Sequence, residues 1–140
     1  MPPGTEGNPR DPCIAGVAHV FLYGTLMRGH APHAELGLDG ALAYAGEAAI
    51  RGRIYAVADY PGLKLEDGEA RGELFRIVDP DALVRMDAYE LYLPDSIETS
   101  EYARRRVPVP ARSVDAWVYE YLPPVDGKLA ITGKWRAEAA

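Results

Sequence analysis

Cysteine is almost absent. Cys13 is the only one in 140 residues, so no intrachain disulfide is possible and nothing points to an oxidising compartment. Positive charge is also scarce: 15 Lys and Arg stand against 21 Asp and Glu, a formal net charge of -6. A nucleic-acid partner is therefore not expected, because phosphate binding needs a basic face. The only basic run, Arg104-Arg105-Arg106, would alternate sides in an extended segment and make no stripe. It reads as a solvated edge or as internal ion pairs. No apolar run is long enough to span a bilayer, and residues 1–10 lack the apolar centre of a secretory signal. A cytoplasmic protein with no membrane partner is expected.

What the chain does have is 48% hydrophobic residues, ample for a core in a chain of single-domain size. Residues 1–16, rich in Pro, Gly and charge and containing Cys13, are expected to form a mobile leader. Residues 17–136 then make one domain, and 137–140 a short tail.

The chain is organised around Val17 to Gly29, VAHVFLYGTLMRG. Val17, Val20, Phe21, Leu22 and Tyr23 have the character of a buried strand, and Gly24 and Gly29 bracket the turn that follows. Gly24 either lets the backbone approach a ligand, in dihedrals closed to other residues and with the Thr25 and Leu26 amides facing a polarised oxygen, or simply turns the chain. From His30 to Gly40 one or two helical turns are expected. His30 and His33 invite a metal, but no further ligand stands at a matching spacing, so they read as exposed polar residues beside the loop. No metal or other cofactor is expected.

From Ala41 to Ile77 the pattern becomes alternating, punctuated by Gly46, Gly52, Gly62, Gly68 and Gly72, with a turn at Tyr60-Pro61-Gly62-Leu63. This predicts a set of short strands in a strongly curved sheet or small barrel, since glycines inside strands mark bulges and corners. Asp79 to Tyr92 is the one convincing helix: Asp79 caps it, Pro80 suits its first position and Pro94 stops it. Taken from Leu83 at about 100° per residue, Met86, Asp87, Glu90 and Leu91 fall on the inward face, with Asp81 and Arg85 outside. Burial without a cation, a nearby Asp87 and the helix dipole would all raise the pKa of Glu90 and suit it to proton transfer. The alternative is a Glu90 that reaches solvent or pairs with one of Arg104, Arg105 and Arg106.

Tyr102 to Pro110 and Val114 to Leu122 read as two more strands. In the second, Ala116, Val118 and Glu120 face one way and Trp117, Tyr119 and Tyr121 the other, with Trp117 expected in the core. Ile131, Gly133 and Trp135 are expected to anchor the chain's close.

Several chemistries are excluded by what stands at their positions. Gly24 to Gly29 has P-loop spacing, but His30 and Ala31 replace the Lys and the hydroxyl residue that clamp phosphate and magnesium. Neither Ser96, Ser100 nor Cys13 sits in a strained nucleophile turn beside a histidine. An inward glutamate and a loop of backbone donors remain. Together they suffice for acyl chemistry in which the substrate's own amine attacks its carbonyl.

Taken in order, Tyr23-Gly24-Thr25-Leu26 after an apolar strand, Gly52 and Tyr55, Tyr60-Pro61-Gly62-Leu63, Gly72-Glu73-Leu74-Phe75, Leu83 through Met86-Asp87-Ala88-Tyr89-Glu90, then Tyr102, Arg105 and Val107 resemble the gamma-glutamylcyclotransferase-like family. That family includes the gamma-glutamylamine cyclotransferases and the plant avirulence-induced-gene-like proteins. The resemblance runs from about Val17 to Trp135. It implies an α+β fold, a small curved mixed β-sheet or β-barrel with flanking helices. It also implies a cavity in which the backbone of Tyr23, Gly24, Thr25 and Leu26 holds the glutamyl end of a small-molecule substrate and Glu90 shuttles the proton. Products would be 5-oxoproline and an amine or amino acid. Tyr102 and Tyr119 either place hydroxyls in this cavity or pack the core and bond backbone. Leu91 departs from the Gly that follows the glutamate in many relatives, and Thr132-Gly133-Lys134-Trp135 only approximates a common Ser-Gly-acidic-Trp pattern. Two alternatives remain: a non-catalytic binding domain of the same fold, and removal of a gamma-glutamyl protecting group from a biosynthetic intermediate.

Overall fold

The computed structural model describes residues 17–93 and 95–136. The expected leader with Cys13, the helix stop at Pro94 and the 137–140 tail lie outside the described residues. The elements run β1 (His19–Leu22), α1 (Ala31–Glu35), α2 (Leu38–Ala41), β2 (Leu42–Ala56), β3 (Pro61–Ile77), α3 (Asp81–Tyr89), β4 (Tyr102–Val109), β5 (Val114–Tyr121) and β6 (Leu129–Ile131). Six strands form one mixed sheet in the order β4-β5-β1-β3-β2-β6. All its neighbours are antiparallel except β1 and β5, which run parallel. The fold is α+β, as expected. No helix among the described residues is long and apolar enough to cross a membrane.

β1 is an uninterrupted apolar run because both of its faces are covered. Val20 and Leu22 pack with Leu26, Met27, Leu38, Leu83, Met86 and Tyr119, on the side where the helices lie. Phe21 and Tyr23 pack with Ile50, Ile54, Leu63, Leu74 and Val118, inside the curl of the sheet. β5 is divided the same way, with Ala116 and Val118 in the second group and Tyr119 and Tyr121 in the first. Each Val, Leu, Ile, Phe or Met side chain among these contributes about 1.5–3 kcal/mol when fully removed from water. Trp117 is only half-buried, packed at the margin of the first group.

The expected set of short strands is instead one hairpin of two long strands, β2 with 15 residues and β3 with 17. Its glycines bend the strands without ending them. The pairing slips between Tyr44 and Gly46 and again between Arg51 and Arg53, and such bulges increase local twist. At the first slip Gly46 has φ +113, and a Cβ there would lie 2.5 Å from Arg112. Arg112, in the β4–β5 connection, donates to the carbonyls of Ala45 and Glu47. The sheet thus curls until its β4–β5 end reaches β2. The turn is displaced from the expected Tyr60–Leu63 to residues 57–60, where Val57 N–H donates to Tyr60 C=O (3.1 Å), and Pro61 already belongs to β3.

α3 is shorter than Asp79 to Tyr92. Asp79 Oδ1 accepts the Asp81 N–H (3.0 Å), a capping bond. At the other end, Tyr92 N–H donates to Asp87 C=O (2.9 Å) and Leu91 N–H to Ala88 C=O (3.2 Å), the bonding of a Schellman motif. Leu91 takes the left-handed position of that motif, φ 56. The reversal swings it out of the helical wheel, so it is exposed instead of inward.

Candidate active site

β1, the turn after it, the β2–β3 turn, the end of α3 and the start of β4 surround one cavity of about 260 Å³, below the ~300–1,000 Å³ that accommodates drug-sized ligands. Buried Phe21, Leu22, Tyr23, Leu26, Pro61, Tyr102 and Tyr119 make its floor; Gly24, Thr25, Asp59, Tyr60, Tyr89, Glu90 and Glu101 make its more open rim. All six residues singled out from the sequence, Tyr23, Gly24, Thr25, Leu26, Glu90 and Tyr102, therefore line the same space.

The turn is closed by Met27 N–H donating to Gly24 C=O (3.0 Å). The N–H groups of Thr25 and Leu26, at its central positions, are left out of the turn's own bonding. Gly24 is needed for close approach and not for its dihedrals. It is absent from the positive-φ glycines, whereas a Cβ on it would lie 2.7 Å from Pro61.

Two buried side chains hold this turn from behind. His33 is not an exposed neighbour of the loop, as the sequence suggested, but 3% exposed, with Nδ1 2.7 Å from the Leu26 carbonyl oxygen and Nε2 3.3 Å from Asp39. Since a carbonyl only accepts, Nδ1 carries the proton. Glu73, also 3% exposed, accepts the Arg28 N–H (2.9 Å) and lies 3.5 Å from the Arg28 guanidinium and 3.6 Å from Lys134. His30 stacks on Trp135. Among the described residues no group of three or more His, Cys, Asp or Glu is placed to hold a metal ion.

On the opposite wall Glu90 is half-buried, and no hydrogen bond or ion pair reaches its carboxyl among the described residues. The three arginines that stood as possible partners are engaged elsewhere: Arg104 with Asp87, Arg105 with Glu120 and Arg106 with Asp115. Loss of water around the carboxyl pushes its pKa up to about 8, and the negative charges of Glu101 and Asp87 act in the same direction. Glu90 keeps an open side on the cavity, and water there tempers the desolvation; all three causes still raise the pKa.

The tyrosine hydroxyls are already occupied. Tyr23 donates to Tyr119 C=O (2.7 Å) and accepts from Leu63 N–H (3.1 Å), Tyr102 donates to Pro61 C=O (2.8 Å), and Tyr119 donates to Asp87 (2.6 Å). Of the two alternatives for Tyr102 and Tyr119, their hydroxyls serve the scaffold while their rings line the cavity. Burial is the first cause raising the pKa of all three, so they stay neutral. Thr25 and Tyr89 join the two walls at the rim, their hydroxyl oxygens 2.8 Å apart.

Asp59, Tyr60, Tyr89 and Glu101 were not singled out from the sequence. Tyr60 belonged to a recognised turn, but nothing local marks a turn residue as facing a cavity. Glu101 carried no signal, because it meets Tyr60 (2.8 Å) only through long-range folding.

A family model described as gamma-glutamyl cyclotransferase, AIG2-like, matches residues 20–137. Among solved structures, the chain is similar to protein ytfP from Escherichia coli (29% identity, TM-score 0.60), covering 81% of this chain and 90% of that one. It is similar also to an aig2-like protein from Mus musculus (25% identity, TM-score 0.58; 76% and 80% covered). An uncharacterized protein from Pyrococcus horikoshii shares the fold (19% identity, TM-score 0.60; 80% and 85% covered). No curated protein matches the chain.

Proposed function

Because the chain belongs to the AIG2-like gamma-glutamyl cyclotransferase family, we propose that it cleaves a gamma-glutamyl amide by ring closure within the substrate, with Glu90 as general acid and base. The observation that carries this reading is Glu90, unpaired among the described residues, sharing one cavity with the Thr25 and Leu26 turn.

In the proposed reaction the substrate's alpha-amine attacks its own gamma-carbonyl carbon. A nitrogen–carbon bond forms and closes a five-membered ring, and the carbonyl oxygen takes up negative charge beside the Thr25 and Leu26 N–H groups. Glu90, as carboxylate, accepts the proton from the attacking nitrogen and passes it to the nitrogen of the leaving amine. The bond between carbonyl carbon and leaving nitrogen then breaks, giving 5-oxoproline and a free amine without water or a covalent enzyme intermediate. Holding the chain of the glutamyl group folded in a small cavity supplies acceleration, because well-oriented intramolecular reactions have large effective molarities.

Release of 5-oxoproline from gamma-glutamyl amides by the folded protein tests this. A folded protein that releases none from amines, amino acids or peptides contradicts it.

A further inference from the structure

Ring closure has two protons to move, and Glu90 carries one. An alpha-amine in neutral water is an ammonium with three protons, whereas the ring nitrogen of 5-oxoproline keeps a single one. The leaving nitrogen enters as an amide N–H and ends in neutral water as an ammonium, so it gains the two that the attacking nitrogen loses. Glu90 passes one of them across during attack and collapse. The other must leave the ammonium earlier, before any lone pair is free to attack.

A second carboxylate stands at the same mouth. Glu101 lines the cavity together with Glu90, and its backbone N–H donates to the carbonyl of Leu91 (3.1 Å), the residue directly after Glu90. The segment leading into β4 is thereby tied to the end of α3. Glu101 Oε2 accepts the Tyr60 hydroxyl (2.8 Å), while Oε1 takes no hydrogen bond among the described residues. The negative charge of Glu101 raises Glu90 more than that of Asp87 does, as charges close together should. Tyr60 and Asp59 face Glu101 from the β2–β3 turn, Tyr102 from β4 and Tyr121 from β5. None of these is a cation. The Lys64 ammonium is held by the carbonyls of Tyr121 (2.7 Å) and Leu122 (3.1 Å). Asp59 is exposed, so a proton given to it is given to bulk water, whereas Glu101 is half-buried and open to the cavity.

Resting on the cyclotransferase reading, we propose that Glu101 is a second catalytic carboxylate, which takes one proton from the substrate's alpha-ammonium before ring closure and returns it to the released amine. In the first step a proton passes from the ammonium to Glu101, and the N–H bonding pair stays on nitrogen as the lone pair that attacks. After the bond between carbonyl carbon and leaving nitrogen breaks, the lone pair of the neutral amine takes that proton back. The amine departs as an ammonium, and both carboxylates are restored.

Glu101→Gln tests this, because it keeps an acceptor for Tyr60 and removes the proton site. The probes are the gamma-glutamyl amides of butylamine, lysine and alanine, with 5-oxoproline release followed from pH 6 upward. On the probe that the parent turns over fastest, the variant should lose about tenfold or more in kcat at pH 7. The gap should narrow toward about pH 9.5, where the substrate's own amine is increasingly deprotonated in solution. Were Glu101 only a charge beside Glu90, its loss would leave more Glu90 as carboxylate at pH 7, and the variant would be faster. Glu101→Asp retains a carboxylate and should keep the parent's pH profile at a reduced rate; a profile like that of Glu101→Gln would overturn the proposal. So would parental kcat in Glu101→Gln at pH 7, a raised KM with kcat unchanged, or a loss equal at every pH. Those results leave the cyclotransferase reading intact, since the parent still releases 5-oxoproline. A folded parent that releases none from any probe overturns both.

Discussion

Arg104 grips Asp87 with two parallel hydrogen bonds, Nε to Oδ1 at 2.9 Å and Nη2 to Oδ2 at 3.1 Å, with both side chains buried. Asp87 lies on α3 one helical turn before Glu90, and Arg104 lies on β4, so the pair pins the acid-bearing end of the helix to the sheet. The Arg104 guanidinium also sits 4.7 Å from the Trp117 ring centroid. Removing one member strands a buried charge, which costs about 3–5 kcal/mol. Arg104→Met should show a loss of that order in denaturant unfolding. Combining it with Asp87→Asn should cost less than the sum of the two single changes, whereas additive losses would show that the pair is not coupled.

Glu90 makes stability depend on pH. Its folded pKa of about 8 lies above the ordinary carboxylate value of 4.5, so between those values the native state holds a proton that the unfolded chain releases. The native state therefore loses stability as pH rises through that window. Glu90→Gln removes the effect. Its Tm should match the parent's below about pH 4.5 and exceed it by a growing margin toward pH 8; a constant difference across the range would contradict the assignment.

His33 holds the Leu26 carbonyl from behind the turn. His33→Leu leaves that buried oxygen without its donor, an expected cost of about 1–3 kcal/mol, and should raise KM for a gamma-glutamyl amide. His33→Asn places an amide N–H near the Nδ1 position and should recover part of both. Equal behaviour of the two variants would mean that the ring's packing on Phe75, and not the hydrogen bond, is what matters.

Leu91 occupies a left-handed position, φ 56, directly after Glu90. A residue with a Cβ pays roughly 1–2 kcal/mol there, and glycine gives back about 0.5–1 kcal/mol of that in chain entropy. Leu91→Gly should raise stability by up to about 1 kcal/mol. Destabilisation would show that the exposed leucine side chain makes contacts that outweigh the strain.

Much of this arrangement was legible in the chain itself. The apolar run ending at Gly24, the alternation of β5 and the inward turn of Glu90 are local patterns, and local patterns survive folding. The glycines of β2 and β3 misled as strand ends, because a bulge and a break look alike until the partner strand is known. Whether Arg104 or a neighbour reaches Glu90 is not written in the local sequence, for a related reason. Which arginine points inward depends on the register of β4 against β5, Tyr102 opposite Tyr121, and on how α3 lies across them. His33 reads as exposed in the sequence because a short helix carries too few residues to show which side it buries.

The most direct measurement is 5-oxoproline release from a gamma-glutamyl amide by the parent protein and by Glu90→Gln, both shown to be folded. The parent should form 5-oxoproline and free amine in equal amounts, and the variant should be slower by about 100-fold or more, the scale of general acid–base catalysis. A variant as fast as the parent, or a folded parent that forms no product, would contradict the account.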